Sequence, residues 1–109
     1  MLPKYQTITF IFFSTIFLVF CSKSIATENK SAIDEGKNYF FENNLNKSFD
    51  ILYPIAKKND EEAQFYIGAI LQKRKDYKVA LEWFKKSGKN NYSQAYYQIG
   101  LMYDNGQGG

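Results

Sequence analysis

Few side chains in this sequence are suited to catalysis, because its 109 residues include no histidine and a single cysteine, Cys21. Histidine is the commonest general base and metal ligand near neutral pH, and a cysteine thiolate is a strong nucleophile. The remaining candidates for acid–base chemistry are the carboxylates of Glu61, Glu62, Asp76 and Glu82. The first three stand at predicted helix starts, where the helix dipole stabilises negative charge, and Glu82 lies on a predicted exposed face. We therefore predict no catalytic residues, no metal site and no cofactor.

The N-terminal segment has the pattern of a secretory signal peptide. Residues 8–20 form an apolar run interrupted only by serine and threonine, with Lys4 before it and the small residues Ser24 and Ala26 after it. A membrane-spanning helix needs about 20 apolar residues, so this run is short for a permanent anchor. We predict that residues 1–26 are removed and that the mature protein is exported, to the periplasm or out of the cell.

Cys21 leaves a second fate for this segment open. Residues 18–21 resemble a bacterial lipoprotein box, although Phe20 is larger than the residue that usually precedes the modified cysteine. Membrane attachment is therefore expected only through a lipidated Cys21 or an uncleaved signal segment. With cleavage after Ala26 the mature chain has no cysteine, which excludes disulfides and thiolate metal sites.

The charge balance argues against a nucleic-acid partner. Lysine and arginine number 14 and aspartate and glutamate 11, but Lys4 and Lys23 belong to the predicted signal peptide, which leaves the mature chain a net charge of +1. Binding to a phosphate backbone requires a clustered positive face. The densest basic run, residues 73–75, is predicted to be a solvated turn between helices.

The elements that position these residues are organised by one fixed interval along the chain. The step from Gly36 to Gly68 is repeated from Gly68 to Gly100, and the same step relates Ala63 to Ala95 and several other pairs: Phe65 and Tyr97, Ile67 and Ile99, Ser48 and Ala80, and Leu52 and Phe84. An interval longer than one helix and shorter than a domain is typical of stacked supersecondary units. We therefore predict an all-α fold, an α-solenoid of antiparallel helical hairpins.

Periodicity and capping residues set the expected helix boundaries. After a polar spacer at residues 27–32, residues 33–109 are predicted to hold about two hairpins plus one extra helix. Asn44, Asp76 and Ser93 are the predicted N-caps of the second, fourth and fifth helices, and Gly88 is expected to end the fourth by adopting a left-handed conformation. Pro54 is expected to kink or tighten the second helix near its end.

Small residues recur where two helices are expected to cross closely. A small residue in the first helix of each hairpin is followed twelve residues later by a small residue in the second, and four residues after that by a large one. The positions predicted to pack the repeats are Gly36, Ser48, Leu52, Ala63, Ile67, Gly68, Ala80, Phe84, Ala95, Ile99 and Gly100.

Three stretches resemble the Sel1-like repeats, relatives of the tetratricopeptide repeats. Residues 53–68 resemble the family's junction between hairpins, residues 76–87 its second helix, and residues 99–108 its first helix with the glycine-rich loop. The chain departs from the family at Gly109, where a small aliphatic residue is usual, and its period is shorter than the tetratricopeptide period of about 34 residues. The resemblance implies a secreted bacterial repeat protein, short or truncated, that acts as a scaffold for a protein or peptide partner.

The family's geometry also implies a binding surface, and alternatives to it remain open. A concave face is expected to carry Phe65, Ala69, Gln72, Lys73, Tyr97, Leu101 and Asp104. If Ile99 and Met102 are uncovered, the last helix is instead expected to self-associate. The chain is alternatively the front end of a longer repeat array without a function of its own, and an enzyme is the least favoured hypothesis.

Overall fold

The computed structural model describes the backbone of residues 3–109 and the side chains of residues 22–109, and this part of the chain is all-α. Its helices, in chain order, are α1 (Pro3–Phe41), α2 (Leu45–Lys57), α3 (Glu61–Lys73), α4 (Tyr77–Lys89) and α5 (Ser93–Asp104). Ala32–Gly109 forms one compact unit, and the segment before it forms another. The apolar run of the predicted signal peptide and Cys21 have side chains outside the described residues. Among the described residues, no helix is long and apolar enough to cross a membrane.

The predicted polar spacer at residues 27–32 is helical and lies inside α1. The hydroxyl of Thr27 donates a hydrogen bond of 2.8 Å to the carbonyl oxygen of Lys23, one helical turn earlier. Polar residues without an apolar stripe can still form a helix, because a helix segment exposed on all sides needs no apolar face for packing. The first helix therefore begins well before Ile33, and it ends at Phe41.

The turns between helices recur at half the interval read from the sequence. Asn43, Asn59, Lys75 and Asn91 are evenly spaced along the chain, and all have a positive φ, between 61° and 74°. Each is the middle residue of a three-residue connection, and the left-handed conformation lets the chain reverse direction. At three of these turns the following backbone N–H donates to a carbonyl oxygen five residues earlier: Asn44 to Tyr39, Asp76 to Leu71 and Tyr92 to Ser87.

The residues at the N-cap positions agree only in part with the predictions made from the sequence. Asn44 caps α2, since its side-chain oxygen accepts a hydrogen bond from the backbone N–H of Lys47, and Asp60 caps α3 in the same way through Ala63. Asp76 occupies the N-cap position of α4 without a side-chain capping bond. The prediction for Ser93 is wrong, because Tyr92 holds the N-cap position of α5.

Two expectations about helix ends also need correction or refinement. Gly88 does not end α4, which continues to Lys89, and the left-handed residue is Asn91. Gly88 is buried, and a Cβ there would lie 3.0 Å from the ring of Tyr96, so its small size serves packing. Helix α2 continues through Pro54 and ends three residues later. Because Pro54 has no backbone N–H, the last turn of the helix lacks one hydrogen bond.

The helices of the compact unit pack as two layers. The C-terminal part of α1, with α3 and α5, forms the first layer, and α2 with α4 forms the second. The rings of Tyr53 in α2 and Trp83 in α4 meet edge to face at 6.0 Å across the second layer. Buried apolar residues fill the space between the layers in two clusters: Ile33, Leu52, Ala56, Ala63, Ile67 and Ile70 in one, and Ala80, Leu81, Phe84 and Met102 in the other.

Close crossings between the layers occur at the repeated glycines. A Cβ on Gly36 would stand 2.5 Å from the side chain of Leu52, and a Cβ on Gly68 would stand 3.0 Å from the ring of Phe84. The hydroxyl of Ser48 donates a 2.7 Å hydrogen bond to the carbonyl oxygen of Gly36 across the first crossing. Glycine allows this close approach at both positions, because a Cβ would require the side chain of Leu52 or the ring of Phe84 to shift.

The residues predicted to pack the repeats are buried, with two exceptions in α5. Ile99 is half-buried, and Gly100 is exposed, with no heavy atom within 4 Å of the place a Cβ would occupy. The expectation that Met102 is uncovered is wrong, since its side chain is 0% exposed. Met102 joins Ala80, Leu81 and Phe84 because the apolar stripe of α5 faces α4.

Candidate protein-binding surface

A row of aromatic rings crosses the first layer, and we call it the aromatic face. It begins at the end of α1, continues through α3 and reaches the turn before α5, and it consists of Phe40, Phe41, Phe65, Tyr66 and Tyr92. Neighbouring rings touch edge to face or at a tilt, with centroids separated by 5.3 Å for Phe40 and Tyr66, 5.4 Å for Phe65 and Tyr66, and 5.1 Å for Phe65 and Tyr92. These separations lie in the favourable range for aromatic pairs.

The exposure of the rings differs along the row. Phe41 is 71% exposed although its ring lies 6.2 Å from that of Tyr66. Phe65, in contrast, also packs on the fully buried Phe84 at 5.4 Å. The row therefore has an anchored centre and an open end at Phe41, where an apolar side chain of a partner can still gain contact area.

Two lysines flank the aromatic face. The ammonium of Lys37 donates a 2.7 Å hydrogen bond to a carboxylate oxygen of Glu62 and lies 5.7 Å from the centre of the Tyr66 ring. The ammonium of Lys73 lies 4.4 Å from the centre of the Phe40 ring. Both distances allow cation–π attraction. The charge of Lys37 is already compensated by Glu62, so Lys73 is the flanking cation better placed to attract an acidic group of a partner.

Burial and charge shift three proton equilibria on this face. The hydrogen bond to Glu62 raises the pKa of Lys37. Burial raises the pKa of Tyr66, against the opposing effect of the Lys37 charge, and burial followed by the charge of Glu62 raises the pKa of Tyr92. The two phenols therefore stay protonated near neutral pH, and the face presents hydroxyl donors beside apolar rings.

The residues predicted for the α3 part of a concave face have mixed environments. Phe65 and Ala69 are half-buried against the second apolar cluster, so much of their surface is used in packing. Lys73 is exposed beside Phe40. Gln72 is half-buried and links two elements: its amide donates to Gln107 at 3.0 Å, and its oxygen accepts from Gln98 of α5 at 2.8 Å.

The residues predicted for the α5 part are more open. Tyr97 is 71% exposed, Leu101 is half-buried, and Asp104 is exposed at the last position of the helix. The Gln98–Gln72 hydrogen bond joins this helix to α3 within the first layer. The structure therefore places all the predicted residues on elements of one layer, although Phe65 and Gln72 are engaged with the protein itself.

Sequence reasoning missed Phe40, Phe41, Tyr66 and Tyr92 as members of this surface. The repeat interval contained a signal for two of them, because it relates Phe40 to Gln72 and Phe41 to Lys73, both of which were predicted to line the face. Tyr66 directly follows Phe65, which was predicted to line the face. Because consecutive residues on a helix point about 100° apart, the prediction for Phe65 did not extend to Tyr66.

The basic run at residues 73–75 lies where α3 ends and turns, and all three side chains are exposed. Arg74 donates a 2.7 Å hydrogen bond to the side-chain oxygen of Asn46, and its guanidinium carbon lies 5.1 Å from the centre of the Phe49 ring. Arg74 therefore links this turn to α2 of the second layer.

Of the four candidate carboxylates, Glu61 and Glu62 begin α3, whereas Asp76 and Glu82 belong to α4 and its N-cap. Glu62 pairs with Lys37, Asp76 stands at the start of α4, and Glu61 and Glu82 are exposed. The backbone carbonyl oxygen of Glu61 accepts a 2.6 Å hydrogen bond from the hydroxyl of Ser87. Among the described residues, no three His, Cys, Asp or Glu side chains are grouped so that they could hold a metal ion.

Comparison with known proteins identifies no relative of this chain. The chain matches no family model, no curated protein and no solved structure.

Proposed function

We propose that this protein is an exported Sel1-like repeat protein, an α-solenoid of helical hairpins that serves as a scaffold for a protein or peptide partner. The repetition of one crossing supports the repeat assignment: Gly36 meets Leu52, and one repeat interval later Gly68 meets Phe84. Repeats that share a crossing stack in a regular array, and such arrays present extended surfaces formed by equivalent helices.

The observation that carries the binding function is the aromatic face. Tyrosine and phenylalanine are enriched at protein interfaces, because a rigid ring buries a large apolar area at a small cost in conformational entropy. Phe41, at the open end of the aromatic face, and Tyr97, on α5 of the same layer, are each 71% exposed. Contiguous exposed apolar surface of this kind marks contact sites on folded proteins.

The chemistry of the face selects the kind of partner. The edge-on and tilted rings accept apolar, proline or aromatic side chains, and the phenols of Tyr66 and Tyr92 offer hydrogen bonds to a peptide carbonyl. The cation Lys73 beside Phe40 favours an acidic group at that end. A peptide segment with apolar residues and a neighbouring carboxylate therefore fits best.

Site-specific photocrosslinking in the producing cells tests this function. A photoreactive phenylalanine analogue replaces Phe41 in one variant and Tyr97 in another, and matched control variants carry it at Pro54 and Lys85, which are exposed on the second layer. We expect one partner protein to be crosslinked from the first-layer positions and not from the controls.

Reconstitution with the purified partner then measures the contribution of each ring. Phe41→Ala and Tyr97→Ala are expected to weaken binding by roughly 10-fold each, the effect of losing about 1.4 kcal/mol of contact. Because both side chains are exposed, the melting temperature should stay within about 2 °C of the parent. Equal crosslinking from both layers, or none from either, would refute a binding role for the first layer, which carries the aromatic face and Tyr97.

A further inference from the structure

The charges of the compact unit are separated between its two layers. The helices of the second layer, α2 and α4, contain six lysines and two carboxylates, whereas α3, α5 and residues 32–41 of α1 contain two lysines and five carboxylates. These helices therefore give the second layer a net charge of +4 and the first layer −3, although the whole chain carries only +3. We call the outer surface of the second layer the basic face. Its lysines, all exposed, are Lys47, Lys57, Lys78, Lys85, Lys86 and Lys89.

Within the described side chains, none of these lysines is paired with a carboxylate. The only ion pair in that part of the chain joins Lys37 to Glu62, and both residues belong to the first layer. Asp50 and Glu82, the carboxylates of α2 and α4, reduce the net charge of the basic face without forming an ion pair there. An excess of positive charge on one side of a protein produces a field that attracts anions.

Three half-buried aromatic rings lie between the cations of the basic face. The rings of Phe49 and Tyr53 stack at 4.9 Å, and the ring of Tyr53 meets that of Trp83 edge to face at 6.0 Å. The ammonium of Lys57 lies 5.1 Å from the centre of the Tyr53 ring, and that of Lys86 lies 4.5 Å from the centre of the Trp83 ring. Since the guanidinium of the turn between α3 and α4 lies over Phe49, each ring has its own cation.

This combination favours a membrane surface over a nucleic acid. Single-stranded nucleic acids bind by stacking bases on open aromatic rings, whereas these rings are half-buried and each already has a cation over it. Tryptophan and tyrosine prefer the lipid–water interface, and lysines beside them are attracted to anionic headgroups. Val79 is 38% exposed one helical turn before Trp83, and it adds an apolar side chain to such a contact.

We propose that the basic face binds the surface of an anionic lipid bilayer. Each lysine held near such a surface contributes about 5-fold to the affinity, and this attraction requires no fixed geometry between the ammonium and a headgroup. The lysines are distributed over two neighbouring helices, which suits an extended charged surface better than a single small anion. The contact requires neither a lipid on Cys21 nor an uncleaved signal segment.

The charge separation also orients the protein on the bilayer. Anionic headgroups repel the negative first layer, so the second layer faces the membrane and the first layer faces away from it. The aromatic face then stays accessible to a partner protein. The inference goes beyond the proposed function and does not rest on it, because the basic face contains no residue of the aromatic face.

Binding to vesicles tests the inference with protein purified from the producing cells. Vesicles of equal parts phosphatidylcholine and phosphatidylglycerol supply the anionic surface, and vesicles of phosphatidylcholine alone are the control. We expect binding to the anionic vesicles to be at least about 10-fold tighter and to weaken as salt is added. A lipid anchor or an apolar segment would bind both kinds of vesicle, so the ratio of the two affinities isolates the contribution of charge.

A pair of double variants locates the contact. Lys85→Gln with Lys89→Gln removes two exposed charges from α4, and Lys30→Gln with Lys73→Gln removes two exposed charges from outside the second layer. We expect the first variant to lose about 10-fold or more of its affinity for anionic vesicles and the control less than about 3-fold. Glutamine and lysine have similar helix propensities, so both variants should keep the melting temperature of the parent.

The orientation is tested by Trp83, the only tryptophan in the sequence. Its fluorescence emission should shift to shorter wavelength when the protein binds anionic vesicles, because the indole enters a less polar environment. Phosphatidylglycerol brominated on its acyl chains near the headgroup should also quench this emission. Bromine quenches only over a short distance, so quenching requires the basic face to lie against the bilayer.

Four results would overturn the inference. Equal affinities for anionic and neutral vesicles, or no binding to either, would remove the role of charge. Equal losses of affinity in the two double variants would show attraction to the chain as a whole and not to the second layer. Binding without quenching of Trp83 would place another surface on the bilayer. A single-stranded oligonucleotide that binds more tightly than the anionic vesicles would make a nucleic acid the occupant.

Discussion

Gly68 lies against Phe84 where α3 crosses α4, so closely that a Cβ on the glycine would stand 3.0 Å from two ring carbons and 3.2 Å from the carbonyl oxygen of Ala80. The contact joins two helices whose facing residues are fully buried. A side chain larger than a methyl group at residue 68 must therefore shift either the aromatic ring or the backbone, which a close-packed interior resists. The stability of the compact unit depends on this crossing.

Gly68→Leu is expected to destabilise the folded chain, whereas Gly100→Leu at the equivalent repeat position is not. Overpacking of a buried site typically costs about 1–3 kcal/mol, and only Gly68 is buried. Thermal melts followed by circular dichroism measure both variants. Equal melting temperatures would show that the two glycines have the same environment, contrary to the contacts at Gly68.

The crossing at Gly68 could be predicted from sequence, and the openness of Gly100 could not. The repeat interval assigns both glycines the same role, because a period reports equivalence between repeats. It does not report which atoms surround each glycine, and within the described residues no heavy atom lies within 4 Å of a Cβ on Gly100. Met102 was wrongly expected to be uncovered because the whole of α5 was treated as one exposed helix. One side of an amphipathic helix can be buried while the other is exposed, and Met102 lies on the buried side.

The turns illustrate a second limit of the sequence. Asn43, Asn59 and Asn91 are polar residues that occur readily in the left-handed conformation, so the regular spacing of the turns was present in the sequence. The fourth turn has Lys75 at this position, and lysine has no preference for the left-handed conformation, so the regular spacing is not evident from residue types alone. Gly88 was predicted to end α4 because glycine is common at helix ends. Glycine also occurs where helices pack closely, and the residue type alone does not distinguish these two roles.

Alkaline pH is expected to destabilise the fold through the aromatic face. Lys37, Tyr66 and Tyr92 have raised pKa values, so the folded chain holds their protons more tightly than the unfolded chain does. Their contribution to stability is complete below the pKa values of the unfolded chain and is lost as pH rises through those of the folded chain. The free energy of unfolding in urea should therefore fall above about pH 10.

A double variant separates the tyrosines from other alkaline effects. Tyr66→Phe with Tyr92→Phe removes both phenols and should make the fall in unfolding free energy between about pH 9 and pH 11 smaller. Tyr97→Phe changes an exposed ring and is the matched control, with a fall like that of the parent. A double variant that loses as much stability as the parent over this pH range would contradict a role for the half-buried phenols of Tyr66 and Tyr92.

Export with cleavage after Ala26 predicts a defined mass for the mature protein. In the proposed signal peptide, the small residues Ser24 and Ala26 would occupy the positions that a signal peptidase reads, and both are exposed. Intact mass spectrometry of protein taken from the producing cells should show a chain that begins at Thr27. A chain that begins at a lipid-bearing Cys21 would instead establish membrane attachment through the lipid.

Lys75→Gly is expected to stabilise the fold, an unusual result for a glycine substitution. Lys75 has a φ of +64° in the connection between α3 and α4, where a side chain costs about 1 kcal/mol and glycine has no such cost. Because glycine also makes the unfolded chain more flexible, the net gain should be on the order of 0.5 kcal/mol. Urea unfolding followed by circular dichroism measures the difference.

The matched control is Lys85→Gly, which removes the same charge from an exposed position in the interior of α4. There the backbone is helical, and replacing lysine by glycine costs roughly 0.5–1 kcal/mol. The two variants should therefore shift the urea midpoint in opposite directions. Since both lose one lysine, opposite shifts cannot come from charge, and a loss of stability in both would show that residue 75 does not need the left-handed conformation shared by the evenly spaced turns.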